Sequence, residues 1–338
     1  MDANDKIILA HGSGGKLTRR LVGDLLLKKF LHPALAELDD SARVEVGSAR
    51  VCFTTDSYVV KPLFFPGSDI GKLAVYGTVN DLAVMGAEPL YISCGLIIEE
   101  GLERDILERV VNSMAEACQI AAVSLVTGDT KVVESGGADG LFINTAGLGL
   151  LPEGRELGIN RIKPGDRVIV SGTIGDHAIA VLAAREDLGL KLGELTSDCA
   201  PVNHLTKLAV DRFEGVKFMR DPTRGGLATV LCEVAESGRF SVHIWEERIP
   251  IRHEVNGICE ILGFDPLYLA NEGKVVMVVA DGIADEVCDV LRSDELGKDA
   301  AVIGEIGSDR PGDVILHTAI GGSRLVTMLA GDQLPRIC

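Results

Sequence analysis

Residues 151–166, LPEGRELGINRIKPGD, interrupt whatever precedes them. The stretch is polar and turn-rich and carries two prolines, so neither a helix nor a central strand runs through it. Strand and helix patterns alternate before it. After it, DRVIVSGTIGD (166–176) begins a strand–loop–helix unit again. A chain of 338 residues broken at this point is expected to hold two α/β domains, with the boundary near residue 155.

In the first half, VEVGSARVCFTTDSYVV (44–60) reads as two strands around a turn. Residues 69–86 and 103–118 read as helices. The second lines up Ile106, Leu107, Val110, Val111, Met114 and Cys118 on one face. VSLVTGDTKVV (123–133) and GLFINTAGLGLL (140–151) are further strands. The second half carries helices near 176–187, 203–214 and 225–237, and strands at SVHIWEERIP (241–250) and KVVMVVAD (274–281). Residues 1–40 read as a lead-in loop and helix, 41–155 as one domain and 156–325 as another. Residues 326–338 read as a flexible tail with little to anchor it.

Composition narrows the chemistry. The chain is 46% hydrophobic but only 4% aromatic, with 39 glycines, which suits an aliphatic α/β core with many tight turns. Fifty acidic groups against 33 basic ones leave a net charge of −17. That field disfavours nucleic acid and anionic membrane as partners. The start has no basic region followed by a long apolar run, and no apolar run reaches a membrane span of about 18 residues, so a cytoplasmic protein is expected. Eight cysteines show no CxxC pair and no zinc spacing. The internal ones, such as Cys118, Cys232 and Cys288, read as small core hydrophobes in a reducing compartment.

An acid sits where it is not expected. In the helix from Asp69, stopped by Gly86 and Pro89, one stripe collects Ile70, Leu73, Ala74, Gly77, Val84 and Met85. Asp81 falls within it. A buried carboxylate needs a cation or strong donors, so Asp81 is either a capping or salt-bridged acid or a metal ligand. Asp56, ending the run VCFTTD, and Asp129, after a strand and a glycine in VSLVTGDT, occupy matching places. Strand-end carboxylates facing a helix-borne one form an oxygen cage suited to Mg²⁺.

HGSGGK (11–16) offers flexible backbone donors and a lysine, but GxxxxGK[ST] is absent, which disfavours a P-loop fold. In DPTRGGLATVLCEVAESG (221–238), Leu227, Val230, Leu231 and Val234 form a helical face preceded by an arginine and two glycines. This is either an ordinary capped helix or a helix start suited to phosphate.

FTTDS, VNDLAVMGAEP, TGDTKVV, DPTRGG and NEGK, in this order, resemble the PurM-like ATP-binding superfamily, which includes aminoimidazole ribonucleotide synthetase, selenophosphate synthetase and thiamine monophosphate kinase. GSGGK, SGTIGDH and the terminal PRIC are similar to one of its families, the HypE family of hydrogenase-maturation proteins. The resemblance covers nearly the whole chain. It implies a homodimer whose N-terminal domains join their sheets into a barrel-like core, a sandwich-like C-terminal domain and ATP near the dimer interface.

The implied reaction starts with transfer of a carbamoyl group to Cys338 by a HypF-like carbamoyltransferase. ATP-dependent dehydration then converts S–CO–NH₂ to S–C≡N, and the cyanide passes to iron on a HypC–HypD-like complex. The resemblance implies catalytic roles for Cys338, Lys131 and Glu272, with Glu272 accepting a proton and Lys131 stabilising charge or relaying it. It implies ATP contacts at Gly12, Gly14, Gly15, Lys72, Asn80, Asp81, Thr130, Asp221, Thr223, Arg224 and Gly225, and Mg²⁺ at Asp56, Asp81 and Asp129. His11 and His177 lie in glycine-rich loops, where a plain loop histidine is as good a reading as a functional one.

A terminal cysteine suits a carrier, because a thiol accepts an acyl group readily and a tip can travel between sites. Pro335 discourages a helix at the tip, and Arg336 offers a charged grip to a partner's pocket. The prenylation box, with its cysteine fourth from the end, is absent. Three rivals remain. A selenophosphate synthetase carries its reactive cysteine in the N-terminal glycine loop, and HGSGGK has none. A thiamine-phosphate-type kinase does not require a terminal cysteine. A nucleotide-regulated scaffold would use the thiol only as a tether.

Overall fold

The computed structural model describes residues 6–12, 14–185, 193–329, 334 and 336–338. The lead-in carries α1 (Lys16–Leu21) and α2 (Pro33–Ala36). The first half continues with β1 (Ala42–Val46), β2 (Ala49–Tyr58), a short ribbon of β3 (Phe64–Phe65) and β4 (Ser68–Asp69), α3 (Ile70–Val84), β5 (Glu88–Glu99), α4 (Arg104–Ile120), β6 (Ser124–Val133) and β7 (Leu141–Leu150). The second half runs β8 (Arg167–Val170), α5 (Asp176–Ala183), α6 (Asn203–Val210), β9 (Val216–Arg220), α7 (Gly226–Gly238), β10 (Ser241–Trp245), α8 (His253–Leu262), β11 (Val276–Val279), α9 (Ala284–Arg292), β12 (Ala301–Gly307), β13 (Val314–His317) and β14 (Ser323–Val326). Residues 186 and 187, which the sequence reading included in a helix, lie outside the described residues, as does Pro335.

Two mixed sheets flank the connector at 151–166. The first has the order β1-β2-β7-β5-β6, antiparallel except for the β5–β6 pair. The second has the order β14-β13-β10-β12-β8-β11-β9, with one parallel pair, β10–β13. This is the mixed α/β architecture expected, with helices on the inner face of the first sheet and on both faces of the second.

Helix α3 is the pillar between them. Asp69 starts it by accepting from the amides of Gly71 (2.7 Å) and Lys72 (3.1 Å), and Gly86 ends it at φ +79°. The single apolar stripe expected from the sequence is too narrow a description. Thirteen of its 15 residues are buried, because the first sheet, α4 and the second half cover it on all sides. Leu73, Ala74 and Val79 join the first sheet's core, while Val84 joins the core beneath α6 and α9. At Gly77 the helix comes so close to β2 that a Cβ would collide with the Tyr58 hydroxyl. Helix α4 buries Val110, Met114 and Ala117 as its period requires, but Val111, placed on that face by the sequence, is 46% exposed.

The two halves share a core. Ala178, Ile179, Val181 and Leu182 of α5 pack into the same cluster as Ile70, Leu73 and Ile143. The tip of the chain joins them through Leu334, Ile337 and Cys338. The tail expected to be free is docked in this structure, because it finds backbone partners at the end of β2 and an apolar seat under α5. Upstream, β14 is held by four antiparallel pairs to β13. Among the described residues no helix is long and apolar enough to cross a membrane.

Candidate active site

The site forms where the end of β2, the end of α3, the start of α7 and the turn at 271–274 meet. Inward and outward side chains alternate along β2, so Thr54, Asp56 and Tyr58 face α3 while Phe53, Thr55 and Ser57 face away. Asp81, on α3, accepts from the Thr54 hydroxyl at 2.7 Å. Asp221 follows β9 and is buried. Glu272 is buried beside them, and its Oε1 has no hydrogen-bond partner among the described residues.

Burial pushes the carboxyls of Asp81, Asp221 and Glu272 well above the usual range, and the acids raise one another further. Asp56 is raised mainly by burial, against which Arg224 works. Asp40, which the sequence reading passed over, belongs to the same cluster and is pushed up to about 6, by burial first, with Arg220 opposing. Arg220 is engaged by Asp39, Asp40 and Glu233, and its pull on Asp221 offsets only part of what burial and Asp40 raise there. The clustered carboxylates of Asp56, Asp81 and Asp221, which burial and mutual repulsion disfavour as bare anions, fit a divalent cation. Among the described residues, however, the side chains as they stand do not form a set of three or more metal ligands.

Arg224 faces this cluster from the other side. Its Nε donates to Cys338 Sγ at 3.0 Å, and its terminal nitrogen donates to the Gly12 carbonyl at 2.7 Å. The first turn of α7 follows directly. Gly225 and Gly226 both have positive φ, and a Cβ on Gly226 would stand 2.5 Å from the Leu269 carbonyl oxygen. Close packing against the 267–269 turn therefore requires Gly226, while a Cβ on Gly225 would collide with the Thr229 hydroxyl one turn into the helix. Asn271, also missed from the sequence, ties that turn together. It is fully buried, donates to Pro222 O and Leu269 O, and accepts from the Gly175 amide at 2.7 Å. Only the general rule that a buried amide must be satisfied could have flagged it.

Cys338 closes the arrangement. The residue is 9% exposed, and its thiol is pushed up to about 12 because burial outweighs the opposing pull of Arg224. A cleft of about 320 Å³ beside it is lined by Gly12, Ser57, Val59, Arg224, Gly225 and Ala270, among others. The internal cysteines are free, and none among the described residues reaches this cleft.

The structure thus brings together Asp56, Asp81, Asp221, Thr223, Arg224, Gly225, Glu272 and Cys338, and separates others from them. Asp129, Thr130 and Lys131 lie within β6 rather than after a strand. Asp129 pairs with Gly95, which pairs with Asn144, which pairs with Ser57. That row places it three strand spacings, about 14 Å, from β2. It also lies on the face opposite Asp56, with its side chain paired to Lys131 at 2.5 Å. Within one chain the three-acid cage is therefore not formed, because a common spacing to glycine says nothing about which face of the sheet an acid occupies.

Asn80 is likewise spent. It donates to Ala200 O (3.1 Å) and Glu272 O (3.3 Å) and accepts from Val202 N (2.8 Å), so it clamps the two halves rather than facing the cleft. Lys72 pairs with Glu116 on α4 at 3.0 Å. Gly12 and Gly14 seat Arg224, and Gly15 lies against Leu329. Among the described residues His11 bonds locally, accepting from the Ile8 amide. His177 is fully buried and reaches the tip of the chain.

Comparison with known proteins agrees with this geometry. Residues 38–151 match the family model of the AIR synthase related protein N-terminal domain, and residues 163–322 match that of its C-terminal domain. The carbamoyl dehydratase HypE of Rhodobacter capsulatus is 48% identical over 338 residues, covering 99% of each chain. A HypE crystal structure in complex with ATP superposes with a TM-score of 0.82 at 45% identity, covering 98% of this chain and 100% of that one. HypE from a HypE–HypF complex gives a TM-score of 0.86 at 45% identity, covering 91% and 99%.

Proposed function

The chain belongs to the HypE family of carbamoyl dehydratases, and from that membership and the site's geometry we propose that it uses ATP to convert a carbamoyl group on Cys338 into a thiocyanate. The observation that carries this reading is the contact of Arg224 Nε with Cys338 Sγ, at a helix start beside buried acids.

The carbamoyl oxygen of S–C(=O)–NH₂ is a poor leaving group. It attacks the γ-phosphorus of ATP, ADP departs, and the oxygen becomes part of a phosphate ester. Glu272 takes a proton from nitrogen, the C–O bond breaks with loss of phosphate, and C≡N forms on sulfur. The two protons lost from nitrogen leave on the base and the phosphate. Arg224 stabilises the charge that develops on the transferred oxygen. Asp56, Asp81 and Asp221 would hold Mg²⁺, which neutralises phosphate charge when bound.

Asp129 and Lys131 enter the reading through a second copy of the chain. The outward face of the first sheet exposes Phe53, Tyr91, Ile97 and Leu150, at 40–50% each. A homodimer that covers this face would bring the β6 residues of one copy towards the other. The carbamoyl donor is a HypF-like transferase and the cyanide acceptor a HypC–HypD-like complex carrying iron for [NiFe] hydrogenase. The free thiols suit a cytoplasmic setting.

The test is the mass of the peptide bearing Cys338. Loading with cyanate, which carbamoylates thiols, should add about 43 Da, and ATP with Mg²⁺ should convert this to about 25 Da. Cys338→Ala should bind ATP and show neither adduct. An adduct that persists with ATP, or appears only on internal cysteines, would contradict the reading.

A further inference from the structure

The tip of the chain runs beside residues 59–61, just past the end of β2. Val59 N–H donates to Cys338 O and Lys61 N–H to Arg336 O, both at 3.3 Å. Arg336 turns the chain through a left-handed φ of +59°. Its Nε donates to Val59 O at 3.1 Å, and its guanidinium pairs with Asp139. The grip expected to serve a partner's pocket is made, in this state, by the chain itself.

One contact to the tip comes from a group with no other use for it. His177, fully buried on α5, has Nδ1 2.8 Å from Ser197 Oγ and Nε2 3.0 Å from the Ile337 carbonyl oxygen. Ser197 Oγ accepts from the Cys199 amide at 3.1 Å, which leaves its own proton free to point at Nδ1. A carbonyl has no proton to give, so Nε2 carries the hydrogen. The neutral tautomer is thus dictated by its neighbours, and the Phe65 ring holds the imidazole edge-on at 5.4 Å. A core histidine ordinarily satisfies its donors within its own layer. This one spends Nε2–H on the residue before Cys338, and departure of the tip would break that bond.

We propose that His177 is the positioning residue of the carrier tip. Its Nε2–H to Ile337 O bond fixes the peptide that precedes Cys338, and so sets where the sulfur and any group on it stand relative to Arg224. The inference rests on Cys338 being the carrier. Loss of the bond shifts the tip towards its undocked state by roughly five- to tenfold.

The experiment uses the full chain. His177→Phe keeps an aromatic ring and removes the donor; His177→Gln restores an N–H near the Nε2 position; Ser197→Ala removes the group that orients the ring. Iodoacetamide alkylation is followed by peptide mass, with buried Cys259 as the internal reference. Cys338 should be alkylated about five- to tenfold faster in His177→Phe, close to the parent rate in His177→Gln, and about two- to threefold faster in Ser197→Ala, with Cys259 unchanged. In single turnovers at saturating ATP, conversion of carbamoylated Cys338 should slow by about tenfold in His177→Phe, with the ATP concentration dependence unchanged. Unchanged alkylation of Cys338, or an equal rise at Cys259, would overturn the proposal. If His177→Phe fails to fold, Ser197→Ala decides it. If the parent itself performs no dehydration, the carrier reading fails while the alkylation arm still reports on the latch.

Discussion

Replacing Arg224 with alanine should separate catalysis from stability. In the folded chain the guanidinium donates to the Gly12 carbonyl and to Cys338 Sγ, and lies beside Asp56 and Glu272. The bond to Gly12 is charge-assisted, so its loss costs about 1.5–3 kcal/mol of stability. At about 2–4 °C per kcal/mol, the melting temperature should fall by roughly 3–12 °C. The chemical step loses the group that faces the developing charge, which costs about 10²–10³-fold in rate. Thermal denaturation gives the first quantity, and single-turnover conversion of the loaded Cys338 peptide, well below the melting transition, gives the second. Arg224→Lys should recover much of the stability and little of the rate, because an ammonium cannot span Gly12 and the sulfur as a fork does. A rate within about threefold of the parent, with the melting temperature lowered as expected, would refute the reasoning and leave Arg224 structural.

Two further outcomes follow from the acid cluster and the first sheet. Asp81, Asp221 and Glu272 are raised well above the usual carboxylate range, and Asp40 to about 6, so the native state binds protons that the unfolded chain releases. Stability without nucleotide or metal should therefore fall as pH rises from the ordinary carboxylate range through about 6 and beyond, with buried His177 acting in the opposite direction at the acid end. Melting curves in EDTA should show Asp221→Asn more stable than the parent at pH 7.5, with a flatter pH dependence; a steeper one would contradict the assignment. If the proposed homodimer forms through the outward face of β2, Phe53→Asp should give a monomer in sedimentation, a lower melting temperature that no longer depends on protein concentration, and no dehydration. A fully active monomer would remove Asp129 and Lys131 from the site.

How far the sequence could be read depended on where each signal resides. Helix α3 was legible because its cap, its period and its stop are all local: Asp69, the apolar run and Gly86. Strand β5 was not recognised, because Pro89 near its start, and Ser93, Cys94 and Gly95 within it, blur its alternation. Strands β9 and β13 are short and almost wholly buried, and Gly304 and Gly307 interrupt β12, which erases the period-2 pattern. Helices α8 and α9 carry clear apolar faces in Val255, Ile258 and Cys259 and in Val287, Cys288 and Leu291, a local signal of the same kind as that of α4.

The site divided along the same line. DPTRGG, NEGK and the acids Asp56 and Asp81 are signalled by residue type in place, and the structure gathers them. Asp129 carries the same local signal, but its strand lies at the far edge of the sheet, and that depends on a strand order no spacing encodes. The tip looked unanchored because its partners Val59, Asp139, Arg185 and His177 lie between about 150 and 280 residues away in the chain.

The central claim is that ATP phosphorylates the oxygen of a carbamoyl group held on Cys338. It is tested most directly by following that oxygen. Cys338 loaded with ¹⁸O-labelled carbamoyl, then given unlabelled ATP and Mg²⁺ in ordinary water, should yield thiocyanate free of label and inorganic phosphate carrying one ¹⁸O per turnover. Label recovered in water, with unlabelled phosphate, would mean that ATP is hydrolysed beside the reaction and not through it.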